Sequence, residues 1–243
     1  MRDIRSEIES LVRQLGGTVG VAVRGIMNAL DFSYNEDERM YSASTIKIPV
    51  LVEAVRRLAE GSADLDREFV LPDDDRTPGS GVLRFMHGAM TLTYHDLMVL
   101  MIITSDNLAT NLLIDFLTPE AITATMRGFG YRATEVQRRI FDYEAMGRGL
   151  YNWIAAGEIA DLCKRIYTKT AVGGRWMSWR SGYWAGSWTR SACVCCCRTR
   201  PGSQTSQESR RRRCMTQASY GRMTSPTRYV WLQPAGRTGA RRS

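Results

Sequence analysis

The sequence predicts an α/β fold in which a helix and a hairpin begin an antiparallel sheet and a mainly helical lobe follows. Three observations predict it. Ile4, Ile8, Leu11, Val12 and Leu15 recur at helical spacing, Thr18–Val23 reads as a strand with a partner across a polar turn, and apolar helical patterns succeed one another from Thr45 to Tyr167.

The opening helix stops at Gly16-Gly17, as a helix C-terminus should. Asp31–Tyr34 and Arg39–Ser42 bracket a polar turn and are the expected hairpin partners of the first strand. From Thr45, the series Ile46, Val50, Leu51, Val55 and Leu58 runs to Gly61 and predicts a largely buried helix. Pro49 falls in its first turn, where a missing N–H costs nothing. Leu71–Gly81, rich in Asp, Pro and Gly, predicts loop. Val82–Met86, Tyr94–Ile103, Asn107–Phe116, Pro119–Phe129 and Gly157–Tyr167 are helical candidates, with the less regular segment Tyr131–Asn152 among them. The organisation expected is a sheet-domain start over residues 1–60, a mainly helical domain over 61–172, and a tail of different character over 173–243.

The chain has 243 residues and a formal charge of +8, but that charge is not evenly spread. From Arg175 onward there are 14 Arg, no Lys and one acid, Glu208, a net +13, which leaves the first 174 residues at −5. The body is mildly acidic, and Arg210–Arg213 is read as solvated charge, so no nucleic-acid partner is expected. The cysteines divide the same way: Cys163 lies in the body, and Cys193, Cys195, Cys196, Cys197 and Cys214 lie beyond it. Their C-x-C-C-C spacing, in a tail without His, does not match a zinc site, so neither a metal nor another cofactor is expected. Apolar runs such as Ile46–Val55 fall short of the roughly 20 residues of a membrane span. The charged start Met1–Glu9 lacks the apolar core of a secretory leader, so the chain as written is expected in the cytoplasm, with export possible if a leader is missing.

Ser44-Thr45-Ile46-Lys47 is an S-x-x-K motif at the start of a helix. Residues three apart lie one turn from each other, so the Lys47 amine can reach the Ser44 hydroxyl and take or relay its proton. The helix N-terminus adds unpaired N–H groups that favour a developing oxyanion. About one S-x-x-K is expected by chance in a chain of this length. Ser105-Asp106-Asn107, 61 residues downstream at the junction of two helices, weighs more, because the triplet is expected on the order of a few hundredths of a time. Helix capping is the other role that Ser105 and Asn107 suit.

Together these motifs resemble those of the class A β-lactamases and penicillin-binding proteins. Tyr41–Leu51, Pro78–Leu83 and Leu100–Asn111 are similar to phrases of that family, and the resemblance runs from the first helix to about Val172. It implies a β-lactamase/transpeptidase-like fold, with the helical domain inserted between early and late strands of the sheet domain and the site at their junction. Ser44 then attacks the carbonyl, Lys47 activates it, Ser105 passes a proton to the leaving atom, and Asn107 orients Lys47 and a substrate amide; Asp106 is structural. The implied partner is a small-molecule substrate, a β-lactam or an acyl peptide or ester, acted on by a monomer.

Two departures qualify what the resemblance implies. Class A enzymes carry a water-activating Glu in Arg-x-Glu-x-x-x-Asn; counted from Arg138 that slot holds Ile140, and from Arg139 it holds Phe141. Asp142 and Glu144, the nearest carboxylates, are expected to pair with loop arginines. Loss of a positioned base typically costs 10²–10⁴-fold, so deacylation is expected to be slow. The second departure is Lys-Thr-Gly on a late strand, for which Lys169-Thr170-Ala171 is the nearest string.

After Gly174 the chain has no Ile, Phe, Lys, Asp or Asn, its aliphatic residues larger than Ala are Val194, Val230 and Leu232, and five of its six Trp appear. Such a stretch is not expected to supply a strand's alternating apolar face, so the later sheet strands are expected to be missing and the tail disordered. Its composition is that of a GC-rich gene decoded out of frame, and a frame change near Gly173–Arg175 is expected. Three functions fit: a serine hydrolase working through an acyl-enzyme on Ser44; a D-Ala peptidase, esterase or β-lactam-binding protein without efficient turnover; and an inactive remnant with a nucleic-acid-binding tail.

Overall fold

A computed structural model of the chain describes residues 4–15, 17–26, 31–71, 76–172 and 193–199. Helix α1 (Ile4–Leu15) presents Ile8 and Val12, one turn apart, to the sheet. They meet Val19, Val21 and Val23 of strand β1 (Thr18–Arg24) and Phe32 and Tyr34 of β2 (Asp31–Tyr34). The two strands pair antiparallel, with Val21 opposite Tyr34 and Val23 opposite Phe32. On the other face of β1, Ala22 joins the main core. Gly20 is required there, because a Cβ would lie 2.8 Å from both the Asn35 carbonyl oxygen and Met40 Cε.

Two expectations about strands are corrected. Met40–Tyr41 (β3) does not join β1; it pairs antiparallel with β6 (Trp153–Ile154), and Tyr41 stands opposite Trp153. A two-residue strand has no periodicity by which to choose its partner. The expected absence of later strands is corrected too: β7 (Cys193–Thr199) pairs with all seven residues of β1, Thr18 opposite Thr199 and Arg24 opposite Cys193, giving the sheet order β2-β1-β7. Alternation was the wrong test, since a short continuous run of small apolar residues such as Cys193–Cys197 also suits a strand. The remaining expectations for the tail, over residues 173–192 and 200–243, lie outside the described residues.

Between β2 and β7 the helices build the main core. Helix α2 (Lys47–Ala59) buries Ile48, Val50, Val52, Ala54 and Leu58. They belong to one cluster with Leu97, Met98 and Met101 of α3 (Tyr94–Ile103), Leu108, Leu113, Ile114 and Leu117 of α4 (Asn107–Leu117), and Ile122 and Met126 of α5 (Pro119–Gly128). Burial of each large side chain contributes about 2 kcal/mol. Side chains cap three of these helices: a reciprocal Thr93–Asp96 box starts α3, Asp106 rather than Ser105 or Asn107 starts α4, and Thr118 with Pro119 starts α5. A 3-10 turn, Leu83–Phe85, stands where a helix was expected at Val82–Met86. Strands β4 (Glu68–Leu71) and β5 (Met90–Thr93) form a hairpin that bridges that loop. The irregular segment holds a short helix, α6 (Tyr143–Gly147), and α7 (Ala156–Tyr167) packs against β1.

One buried carboxylate ties the helices together. Glu53 of α2 is fully buried and accepts from Arg56, Arg57 and the Thr125 hydroxyl of α5, the last at 2.6 Å. Among the described residues no helix is long and apolar enough to cross a membrane.

Candidate active site

Ser44 sits in a 3-10 turn, Ala43–Ile46, that runs directly into α2, of which Lys47 is the first residue. Ala43 precedes the serine at φ 43°, a left-handed conformation that non-glycine residues enter only under constraint. Ser105 takes the same region at φ 54°, between the end of α3 and the start of α4. The chain is thus bent sharply on both sides of Lys47.

All four residues singled out from the sequence come together around one amine. Lys47 is 3% exposed. Its Nζ lies 3.2 Å from Ser44 Oγ and 2.8 Å from each of Ser105 Oγ, the Ser105 carbonyl oxygen and Asn107 Oδ1. An ammonium has three N–H donors, yet four oxygens surround it. One contact must therefore be shared, or a hydroxyl must donate to a neutral amine. Burial lowers the Lys47 pKa from 10.5 to about 8, although the charge of Asp106 opposes the shift. At pH 7 roughly a tenth of the molecules then hold Lys47 as a free base.

Asp106 holds the frame. Its Oδ1 accepts from the Leu108 and Ala109 amides, capping α4, while its Oδ2 accepts from Val82 and Leu83 at 2.7 and 3.0 Å. Asn107 is fixed on both sides: its Nδ2 donates to the Pro78 carbonyl at 2.8 Å, and its backbone N–H donates to the Ser80 carbonyl at 3.0 Å. The loop Pro78–Leu83 is therefore the clamp on Ser105-Asp106-Asn107. Its glycines make that contact possible. A Cβ on Gly81, at φ 118°, would collide with the Asp106 carboxylate, and one on Gly79, at φ 92°, would lie 2.6 Å from Asn107 Nδ2.

Several residues near the site carried no motif. Asn111, one turn beyond Asn107 on α4, is buried and joins two loops. Its Nδ2 donates to Thr77 Oγ1 and the Ile140 carbonyl, and its Oδ1 accepts from the Ile140 amide at 2.7 Å. Beside it lies a cavity of about 450 Å³ bordered by Arg76, Pro78, Arg139 and Phe141. Phe141 adopts φ 61°, and its ring lies 2.7 Å from the position of a Gly79 Cβ. A buried Asn within a helix was the available signal for Asn111, and it is weak without a partner in view.

The two nearby carboxylates, expected to pair with Arg138 and Arg139, are engaged elsewhere. Glu144 pairs with Arg148 at 2.6 Å. Asp142 instead caps α6, its Oδ1 accepting from the Ala145 amide at 2.8 Å, as Asp at an N-cap does. Arg138 is buried and donates to the Leu150 and Arg139 carbonyls and the Tyr41 hydroxyl, while Arg139 lies 3.4 Å from Asp115. Lys169-Thr170-Ala171 forms a turn after α7, with Lys169 at φ 61° and the Thr170 and Ala171 amides bonded to the Arg165 carbonyl. It is not a strand.

Known proteins share the fold that carries these residues. The family model described as the beta-lactamase enzyme family matches residues 3–179. A beta-lactamase of Rhodobacter capsulatus is 30% identical over 132 residues, 54% of this chain and 45% of the relative. The crystal structure of a beta-lactamase from Sphaerobacter thermophilus DSM 20745 superposes with a TM-score of 0.64 at 30% identity, covering 71% of this chain and 64% of that one. The structure of PBP-A, at 24% identity, shares the fold with a TM-score of 0.64 over 73% of this chain and 66% of its own. The chain spans just under half the length of the curated relatives it matches.

Proposed function

Since the chain belongs to the beta-lactamase enzyme family, we propose that it is a serine acyl hydrolase that forms an acyl-enzyme on Ser44. The observation that carries this is the Lys47 amine, buried and in contact with the Ser44 hydroxyl, the Ser105 hydroxyl and Asn107. In the proposed reaction, Ser44 Oγ bonds to the substrate carbonyl carbon as its proton passes to the neutral Lys47 amine. The carbonyl electrons move to the oxygen and return to expel the leaving nitrogen or oxygen. Ser105 gives that atom its proton and recovers one from Lys47. Asn107 holds the amine in line and offers its amide to the substrate.

The substrate we propose is a β-lactam or a related amide or ester. Phe141 favours slow release. An aromatic ring stands beside Gly79 and Asn107 in the slot where a water-activating carboxylate is expected, and the nearby Asp142 and Glu144 are engaged as a cap and an ion pair. The acyl-enzyme is therefore long-lived, as in a β-lactam-binding protein or a peptidase of low turnover. A fluorescent penicillin tests this: the proposal expects a label on the full chain that survives denaturation and is absent from Ser44→Ala. Labelling that Ser44→Ala retains rejects it.

A further inference from the structure

The family match ends at residue 179, and composition changes abruptly just before it, after Gly174. The genetic code explains the change. When the third base of each codon is joined to the first two of the next, any residue followed by Trp (TGG) or Cys (TGT, TGC) yields a codon ending in TG. Such a codon encodes Leu, Met or Val. All ten Trp and Cys residues beyond Gly174 become Leu, Met or Val in this way, and Cys195-Cys196-Cys197 becomes Leu-Leu. Other steps are equally forced. Trp176-Met177, Trp188-Thr189 and Met215-Thr216 each yield Asp, and Trp184-Ala185 yields Gly. Each step into Arg yields either a small residue or proline, or Lys, Gln, Glu or a stop, so the missing lysines and acids become available as well. No step forces a stop codon.

We propose that residues 175–243 are decoded one base out of register with the frame that encodes the rest of the domain, and that the wall of the site facing Ser44 lies in that other frame. The relation corresponds to one base lost near Gly173–Arg175, which a one-base backward slip of the ribosome restores. The structure fits this at β1, where the strand position beside Thr18–Arg24 is taken by Cys193–Thr199. That segment is rich in apolar residues in both frames. It also fits at Lys169–Ala171, an in-frame string similar to Lys-Thr-Gly, which is a helix-ending turn. In the second frame Arg198–Gly202 can read His-Lys-Thr-Gly, but only with particular codons.

This makes a sharp demand on the gene, and one independent of whether Ser44 is acylated. Its nucleotide sequence is expected to hold Thr199 as ACA, Arg200 as AGA and Pro201 as CCG, with the second frame open throughout. A stop codon in that frame before codon 202, or different bases at these positions, overturns the proposal. At the protein level, the chain with the second frame restored is expected to unfold cooperatively at least about 10 °C above the full chain as it stands. Equal melting of the two overturns it.

Discussion

At the residue scale, the proposed chemistry turns on the proton of Lys47. In that reaction the amine takes the Ser44 proton only as a free base, and burial lowers its pKa from 10.5 to about 8. Acylation is expected to rise about tenfold between pH 7 and the plateau well above pH 8, read as a second-order rate with a chromogenic β-lactam. A flat profile across that range would remove Lys47 from the base role. Replacing Lys47 with Ala is expected to slow acylation by roughly 10²–10⁴-fold. The role proposed for Phe141 belongs to the second step. With Phe141→Glu, a carboxylate enters the slot beside Asn107, and the acyl-enzyme lifetime is expected to shorten by roughly tenfold or more, followed by the decay of the labelled chain.

At the scale of elements, helix α2 is held by charge as well as by packing. Burial pushes the Glu53 carboxyl up, but hydrogen bonds from Arg56, Thr125 and Arg57 outweigh it and hold the pKa below the usual glutamate range. A depressed carboxylate contributes stability that is present above its unfolded pKa of about 4.3 and is lost as pH falls through the folded value. Glu53→Gln is therefore expected to cost about 2–4 kcal/mol at pH 7, with the deficit shrinking below about pH 4, measured by urea unfolding at both pH values. The clamp on the second motif is as specific. Gly81→Ala forces a Cβ against the Asp106 carboxylate at a positive φ, and is expected to cost about 1–3 kcal/mol and to slow acylation with it.

The longer helices were legible because apolar spacing recurs along them, and at α1 and α2 a terminus signal adds to it: Gly16 after α1, Pro49 in the first turn of α2 and Gly61 beyond its end. The short strands were not. Met40–Tyr41 and Trp153–Ile154 are too brief to show a period, and the β4–β5 hairpin closes over 18 intervening residues. In the site, Ser44, Lys47, Ser105 and Asn107 were legible as motifs. The clamp through Pro78, Ser80 and Gly81 was not, because it works through backbone carbonyls and an absent side chain, to which a motif gives no voice.

At the scale of the whole molecule, the described helices place Ser44 just before a buried helix and Ser105 at the junction of the next two. The proposed acyl-enzyme on Ser44 rests on that arrangement, and intact-mass analysis tests it most directly. The full chain and its frame-restored form, each beside its Ser44→Ala variant, are incubated with benzylpenicillin. One adduct of the penicillin mass is predicted on both the full chain and the frame-restored chain, mapped to the Ser44 peptide and absent from each Ser44→Ala variant. No adduct on either form, or one that Ser44→Ala retains, would contradict the account.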